Sequence, residues 1–206
     1  WPLKISVPTS IHKQGFTTIK GDEKVEHFFQ ENNIKKEKKI IGISVAAGNE
    51  IKEWSVERFG ELMKRLIVRY DLHIVFVGTS KDKEKIARVN AYINNKGAVA
   101  AGAFTLEELP SLIKRLSVFI SADTGIVHVA EALGVSLIDI VGPVDPYEQT
   151  PREGKSIIVK PQPDIKPTIF AFRPPGDPKE SRRAADNITV DHVFTAFEKL
   201  YSESNA

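Results

Sequence analysis

The chain has 206 residues and a formal net charge of +2 from 29 basic and 27 acidic side chains. That is length for one domain, or one large domain with appendages, and no basic excess for a nucleic-acid binder that works by electrostatics. It has no cysteine, which excludes a disulfide framework and a cysteine-held metal and fits a cytoplasmic protein.

No apolar run approaches the roughly 20 residues that cross a bilayer and no signal-peptide pattern opens the chain, so a soluble protein is expected. The start at Trp1-Pro2, without an initiator methionine, reads as that of a fragment. Residues 1–20 have short extended pieces without helical period, as an incoming connector would. Asp22 to Asn32 predicts a short helix with Val25, Phe28 and Phe29 inward, and the charge run from Lys35 to Lys39 predicts a solvated linker. The apolar run from Ile40 to Val45 then suits a strand of a parallel sheet covered on both faces.

Residues 46–54 form the first loop at a strand's carboxyl end. Ser55 caps the next helix, with Trp54 and Phe59 as a hydrophobic staple and Phe59, Leu62, Met63, Leu66 and Ile67 facing inward. Ile74 to Val77 predicts a second strand ending at Gly78, Lys81 to Asn94 a helix, and Val99 to Ala101 a short strand. Thr105 and Glu108 have capping-box spacing, but Pro110 requires that helix to kink or to start late. Further strands are predicted at Val118–Ile120, Leu137–Val141 and, at an edge, Ile157–Val159. The segment from Pro161 to Pro178 is proline-rich and expected to be irregular. Thr189 caps a last helix with Val193, Phe194, Phe197 and Leu200 on one face. Alternating strands and helices imply an α/β, doubly wound, Rossmann-like parallel sheet, whose ligands bind beyond the carboxyl ends of the strands.

The stretch from Ser121 to Gly134 stands out on that edge. A buried strand delivers the backbone to Asp123, and Ile126, Val129, Ala130 and Leu133 recur at helical spacing until Gly134. The turn between them offers unpaired N–H groups, and Gly125 has no side chain to keep an anion away. His128, four residues after Thr124, shares a face with it. The same residues also read as a plain helix cap, with Asp123 or Thr124 as N-cap and His128 at the surface. Lys52, in the first loop, is able to reach a diphosphate held at this turn, or is a solvated lysine. Asp82, with Glu84 behind it, is placed to accept hydrogen bonds from ribose hydroxyls, or serves as a charge at a helix start.

Other chemistries fit less well. Asp123, His128 and Ser121 crowd one short turn and no Gly-x-Ser-x-Gly elbow is present, which disfavours a hydrolase triad. Scattered histidines without a His-x-x-x-His pair disfavour a metal centre, and Ala46-Ala47-Gly48-Asn49 lacks the glycines of a dinucleotide turn. An Asp-x-Asp pair of the type that holds a divalent ion on a nucleotide sugar is absent, so no cofactor or metal is expected.

Asp123-Thr124-Gly125-x-x-His128-x-Ala130-x-Ala132-Leu133-Gly134, followed by Gly142-Pro143-x-x-Pro146, resembles the signature of glycosyltransferase family 9, the ADP-heptose:lipopolysaccharide heptosyltransferases. The resemblance spans about residues 39–200. It implies the carboxyl-terminal, nucleotide-sugar-binding half of a two-domain GT-B enzyme, with 1–38 as interdomain connector and short helix and 39–206 as the donor domain. It implies inverting, metal-independent transfer of heptose from ADP-heptose to the lipopolysaccharide inner core, at the cytoplasmic side of the inner membrane. In that scheme Lys52, Thr124 and Gly125 contact the phosphates, Asp123 the sugar, and His128 orients it. From the residues themselves, Lys52 and His128 are the expected leaving-group stabilisers, and Phe104 and Leu106 either sandwich an adenine or are plain core. A missing amino-terminal domain would hold the acceptor and the base, so the fragment alone should be inactive and its own catalytic set empty. Val144 in the Gly-Pro loop and Ala46-Ala47-Gly48 before Lys52 depart from the family pattern, as does the lack of cysteine. A UDP-sugar epimerase of GT-B fold, or a binding module without transfer, are the competing readings.

Overall fold

The computed structural model describes residues 15–151, 154–161, 165–170 and 176–203. Among these residues, six strands form one parallel sheet: β1 (Lys39–Ser44), β2 (Leu72–Phe76), β3 (Ala98–Val99), β4 (Val118–Ala122), β5 (Ser136–Ile140) and β6 (Ser156–Val159), in the order β3-β2-β1-β4-β5-β6. β1 pairs with both β2 and β4, so the strand order reverses there. The helices are α1 (Ile19–Glu31), α2 (Val56–Arg69), α3 (Lys83–Ala91), α4 (Leu109–Lys114), α5 (Ile126–Ala132), α6 (Pro146–Gln149), α7 (Pro178–Asn187) and α8 (Val190–Glu203).

Strand alternation divides the core in two. Ile41, Ile43, Ile120, Ile138 and Ile140 face α2, α3 and α8, where Phe59, Leu62, Met63, Ile86 and Phe197 are buried. Val75, Phe119 and Leu137 face α1, α4 and α5, where Phe28, Leu112, Val127 and Ala130 are buried. A sheet with apolar side chains on both faces needs such covering, which is why its strands read as continuous hydrophobic runs. Gly42 allows one close approach: a Cβ there would lie 2.3 Å from Leu116 Cδ1. Gly134 ends α5 with φ +69°, a left-handed conformation that glycine adopts without steric cost.

Local signals locate the helix starts well. Ser55 accepts from the Arg58 N–H at 3.2 Å, and Trp54 meets Phe59 edge-on, with ring centroids 5.0 Å apart. The helix near Pro110 starts late, with the proline in its first turn. Glu108 meanwhile accepts from Thr105 N–H at 3.0 Å and from Lys24 Nζ at 2.6 Å. The helix expected from Lys81 to Asn94 opens as a 3-10 turn, Ser80–Asp82, and its α-helical part ends at Ala91. Asn94 and Asn95, at positive φ, turn the chain back. α7 has no counterpart among the predicted elements, although Asp177 caps it at the Lys179 N–H and Pro178 stands in its first turn. Of the proline-rich segment, residues 162–164 and 171–175 lie outside the described residues.

Candidate functional site

The carboxyl ends of β1, β2 and β4 open on a cleft of about 750 Å³ lined by Gly48, Thr79, Asp82, Phe104, Leu106 and Thr124, among others. It lies where the strand order reverses, the place at which a doubly wound sheet leaves a crevice between diverging loops.

The first loop is fastened on several sides. Asn49 caps a 3-10 turn, Glu50–Lys52, by accepting from the Ile51 N–H at 3.1 Å. Glu53 accepts from the Ala47 N–H at 3.2 Å and pairs with Lys85. The Trp54 indole donates to Ile188 O at 2.8 Å. These ties place Lys52, whose Nζ lies 2.9 Å from Asp123 Oδ2 with the two side chains 17% and 6% exposed. The lysine is therefore not a solvated one, and its partner is the first residue of the Asp-Thr-Gly turn.

That turn resolves its own capping. The Thr124 hydroxyl accepts from the Ile126 N–H at 3.3 Å, across the N-cap position held by Gly125, while the Asp123 carboxylate is directed to Lys52. Gly125 has φ in the ordinary helical range and open space around the direction of a Cβ. His128 is half-exposed, with Nδ1 3.5 Å from Glu131 Oε2 one turn on.

Along the cleft, Asp82 Oδ2 accepts from the Thr79 N–H at 2.6 Å and from its hydroxyl at 2.8 Å. The carboxylate thus serves a helix start, with a wall of the cleft at the same residue. Phe104 packs edge-on against Phe28, centroids 5.6 Å apart, beneath Lys24. Leu106 is 89% exposed and is not core; it stands at the cleft's mouth. The structure thus brings Asp82, Phe104, Leu106 and Thr124 to one cleft, with Lys52 and Asp123 joined beside Thr124. Among the described residues, no group of three or more His, Cys, Asp or Glu side chains is gathered as a metal set.

Asp139 lies within β5, fully buried, and neither carboxyl oxygen has a hydrogen-bond partner among the described residues. Burial and, after it, the charge of Asp123 push its pKa up to about 8, against the opposing pull of Lys52. The signal was an acid inside the apolar run Leu137-Ile138-Asp139-Ile140-Val141, which the strand period alone absorbs without comment.

The model of "Glycosyltransferase family 9 (heptosyltransferase)" matches residues 8–168. Lipopolysaccharide heptosyltransferase 2 of Salmonella typhimurium (strain LT2) is 28% identical over 133 residues, 62% of this chain and 38% of that protein. The structure of Escherichia coli ADP-heptose lipopolysaccharide heptosyltransferase II superposes with a TM-score of 0.75 at 22% identity, over 94% of this chain and 54% of that one. A family 9 glycosyltransferase structure from Veillonella parvula gives 0.74 at 22% identity, over 92% and 54%. The structural likeness is one of fold. The chain matches well under half the length of the curated relative and about half of each solved one.

Proposed function

This chain belongs to glycosyltransferase family 9, and from that membership we propose that residues 39–206 are the donor-binding domain of a heptosyltransferase that takes ADP-heptose. The observation that carries the reading is the Lys52–Asp123 pair, 2.9 Å apart, at the edge of a cleft at the sheet's reversal point. A cation held by one carboxylate beside an open glycine turn is ready to be exchanged onto a diphosphate, a ligand of greater charge.

In this reading the adenine lies between Phe104 and Leu106, and an exposed leucine gains from being covered. The ribose approaches Asp82, and the diphosphate takes Lys52 and the backbone about Thr124 and Gly125. Asp123, released from Lys52, meets the sugar beside His128. When the glycosidic bond breaks, negative charge grows on the departing diphosphate, and in this reading Lys52, His128 and the backbone N–H groups meet it. The charge is met by the chain's own cations, so binding needs no added metal. Inversion requires a base within about 3 Å of the acceptor hydroxyl on the opposite side of the sugar. We assign that base, and the lipopolysaccharide inner-core acceptor, to an amino-terminal domain facing this cleft.

Calorimetric titration with ADP, UDP and GDP in excess chelator tests the reading. ADP is expected to bind best, and without metal. Binding lost in chelator and restored by magnesium refutes the metal-independent site, and a preference for UDP transfers the reading to a UDP-sugar enzyme.

A further inference from the structure

The roles given above leave one carboxyl of the site unused. Asp139 pairs in register with Ser121 of β4 and with Ile158 of β6. Alternation puts its side chain on the same face of the sheet as those of Ser121 and, two residues on, Asp123. Ser121 does not serve it, since that hydroxyl donates to Ala122 O at 2.7 Å. The carboxyl is fully buried with both oxygens unpartnered among the described residues, a position in which an ionised form is strongly disfavoured.

The charged groups that act on it are Asp123 and Lys52. α5, which packs across this part of the sheet, contributes His128 and Glu131, which face each other across one turn. α8 lies on the other face, and its Asp191 and Glu198 are engaged with Arg65 and Arg69 of α2. β6 has no charged residue within its span and is followed by Lys160.

Resting on the donor-site reading, we propose that Asp139 is a positioning residue of this site: a neutral carboxyl that leaves Asp123 the single anion opposite Lys52, and that keeps its proton when a nucleoside diphosphate takes the ammonium away from Asp123. With the proton in place the three side chains sum to zero charge. Without it they sum to minus one, and Lys52 is shared between two carboxylates while the incoming diphosphate is repelled. Binding strengthens the hold on the proton. Lys52 is the group that favours ionisation of Asp139, and turning it toward phosphate weakens that pull just as further negative charge arrives.

The sign follows from linkage. The free protein holds this proton up to about pH 8. Above that, binding takes the proton back up, and affinity falls toward tenfold per pH unit. The experiment titrates wild type and Asp139→Asn with ADP in chelator from pH 7 to 9.5, in two buffers of different ionisation enthalpy. The wild type is expected to lose affinity above pH 8 with net proton uptake approaching one per ADP, and Asp139→Asn to bind with a flat profile and no uptake. Matching profiles overturn the proposal. Carboxyl carbon NMR of the unliganded wild type supplies a readout free of ADP: Asp139 should titrate near 8, lower in Asp123→Asn and higher in Lys52→Met. A carboxyl titrating near 4 overturns the proposal whether or not ADP binds. A failure of ADP to bind either protein, with Asp139 still titrating near 8 and answering to Asp123→Asn, refutes the donor site and upholds the neutral carboxyl.

Discussion

Lys52→Ala removes the ammonium that pairs with the Asp123 carboxylate, and three quantities should respond differently. In the free protein the lysine Nζ lies 2.9 Å from Oδ2, with the side chains 17% and 6% exposed. That covering takes the pair out of the surface class, where ion pairs contribute about 0–1 kcal/mol. It enters the range of hydrogen bonds to charged groups, about 1.5–3 kcal/mol. The truncation leaves Asp123 covered and without that ammonium, so stability should fall by roughly 1–3 kcal/mol. If the lysine transfers to the diphosphate on binding, ADP affinity should fall by about 1.5–3 kcal/mol, or roughly 10- to 150-fold in Kd. Adenosine, which lacks the phosphates, should bind as before. Paired calorimetric titrations with ADP and adenosine, alongside urea unfolding, measure all three. Equal weakening of adenosine and ADP means that Lys52 acts by holding the cleft together, and the phosphate role is then wrong.

Asp139→Asn should stabilise the fold at neutral pH. A carboxyl raised from 3.8 to about 8 on folding keeps its proton in the native state while the unfolded chain loses it, so native stability declines as pH rises from about 4 to 8. The asparagine variant should gain roughly 2–5 kcal/mol over wild type at pH 8 and little at pH 4.5, by urea unfolding at each pH; a gap that does not grow with pH contradicts this. Gly125→Ala meets no atom within 4 Å at a helical φ, so thermal melting should change by less than about 1 kcal/mol in stability. The added methyl should nevertheless weaken ADP while sparing adenosine, and unaltered ADP binding would separate the anion from this turn. Leu106→Ala alters a side chain that is 89% exposed, and stability should stay within about 0.5 kcal/mol. Adenosine and ADP should weaken together by about 1 kcal/mol as the covered apolar area shrinks, and a loss confined to ADP would remove Leu106 from the base.

The sequence by itself determined what depends on near neighbours. Apolar runs such as Ile40–Val45 and Leu137–Val141 state that a strand is covered on both faces, because no polar residue in alternation marks a wet side. Ser55, Trp54 and Phe59 state where α2 begins, since a cap and its staple close within five residues. The Asp123–Gly134 motif, with its glycine stop, is likewise local, and so is the family that it identifies. α7 escaped because its cap and first-turn proline close a segment dense in proline, where composition outweighs periodicity.

Which residues meet across the sheet was decided only by tertiary structure. Lys52 and Asp123 are 71 positions apart, and they touch because β1 and β4, distant in the chain, are neighbours at the reversal point. Asp82 is drawn into a local cap by Thr79, a competition between two uses of one carboxylate that spacing leaves open. Asp139 is the clearest case. Its letter is that of any acid, and its chemistry comes from β4, β6 and α5 closing around it and from a second carboxylate whose distance the chain order does not disclose. Burial and electrostatic coupling are properties of that enclosure. A linear pattern of residues contains neither the dielectric around a group nor the charges that share it.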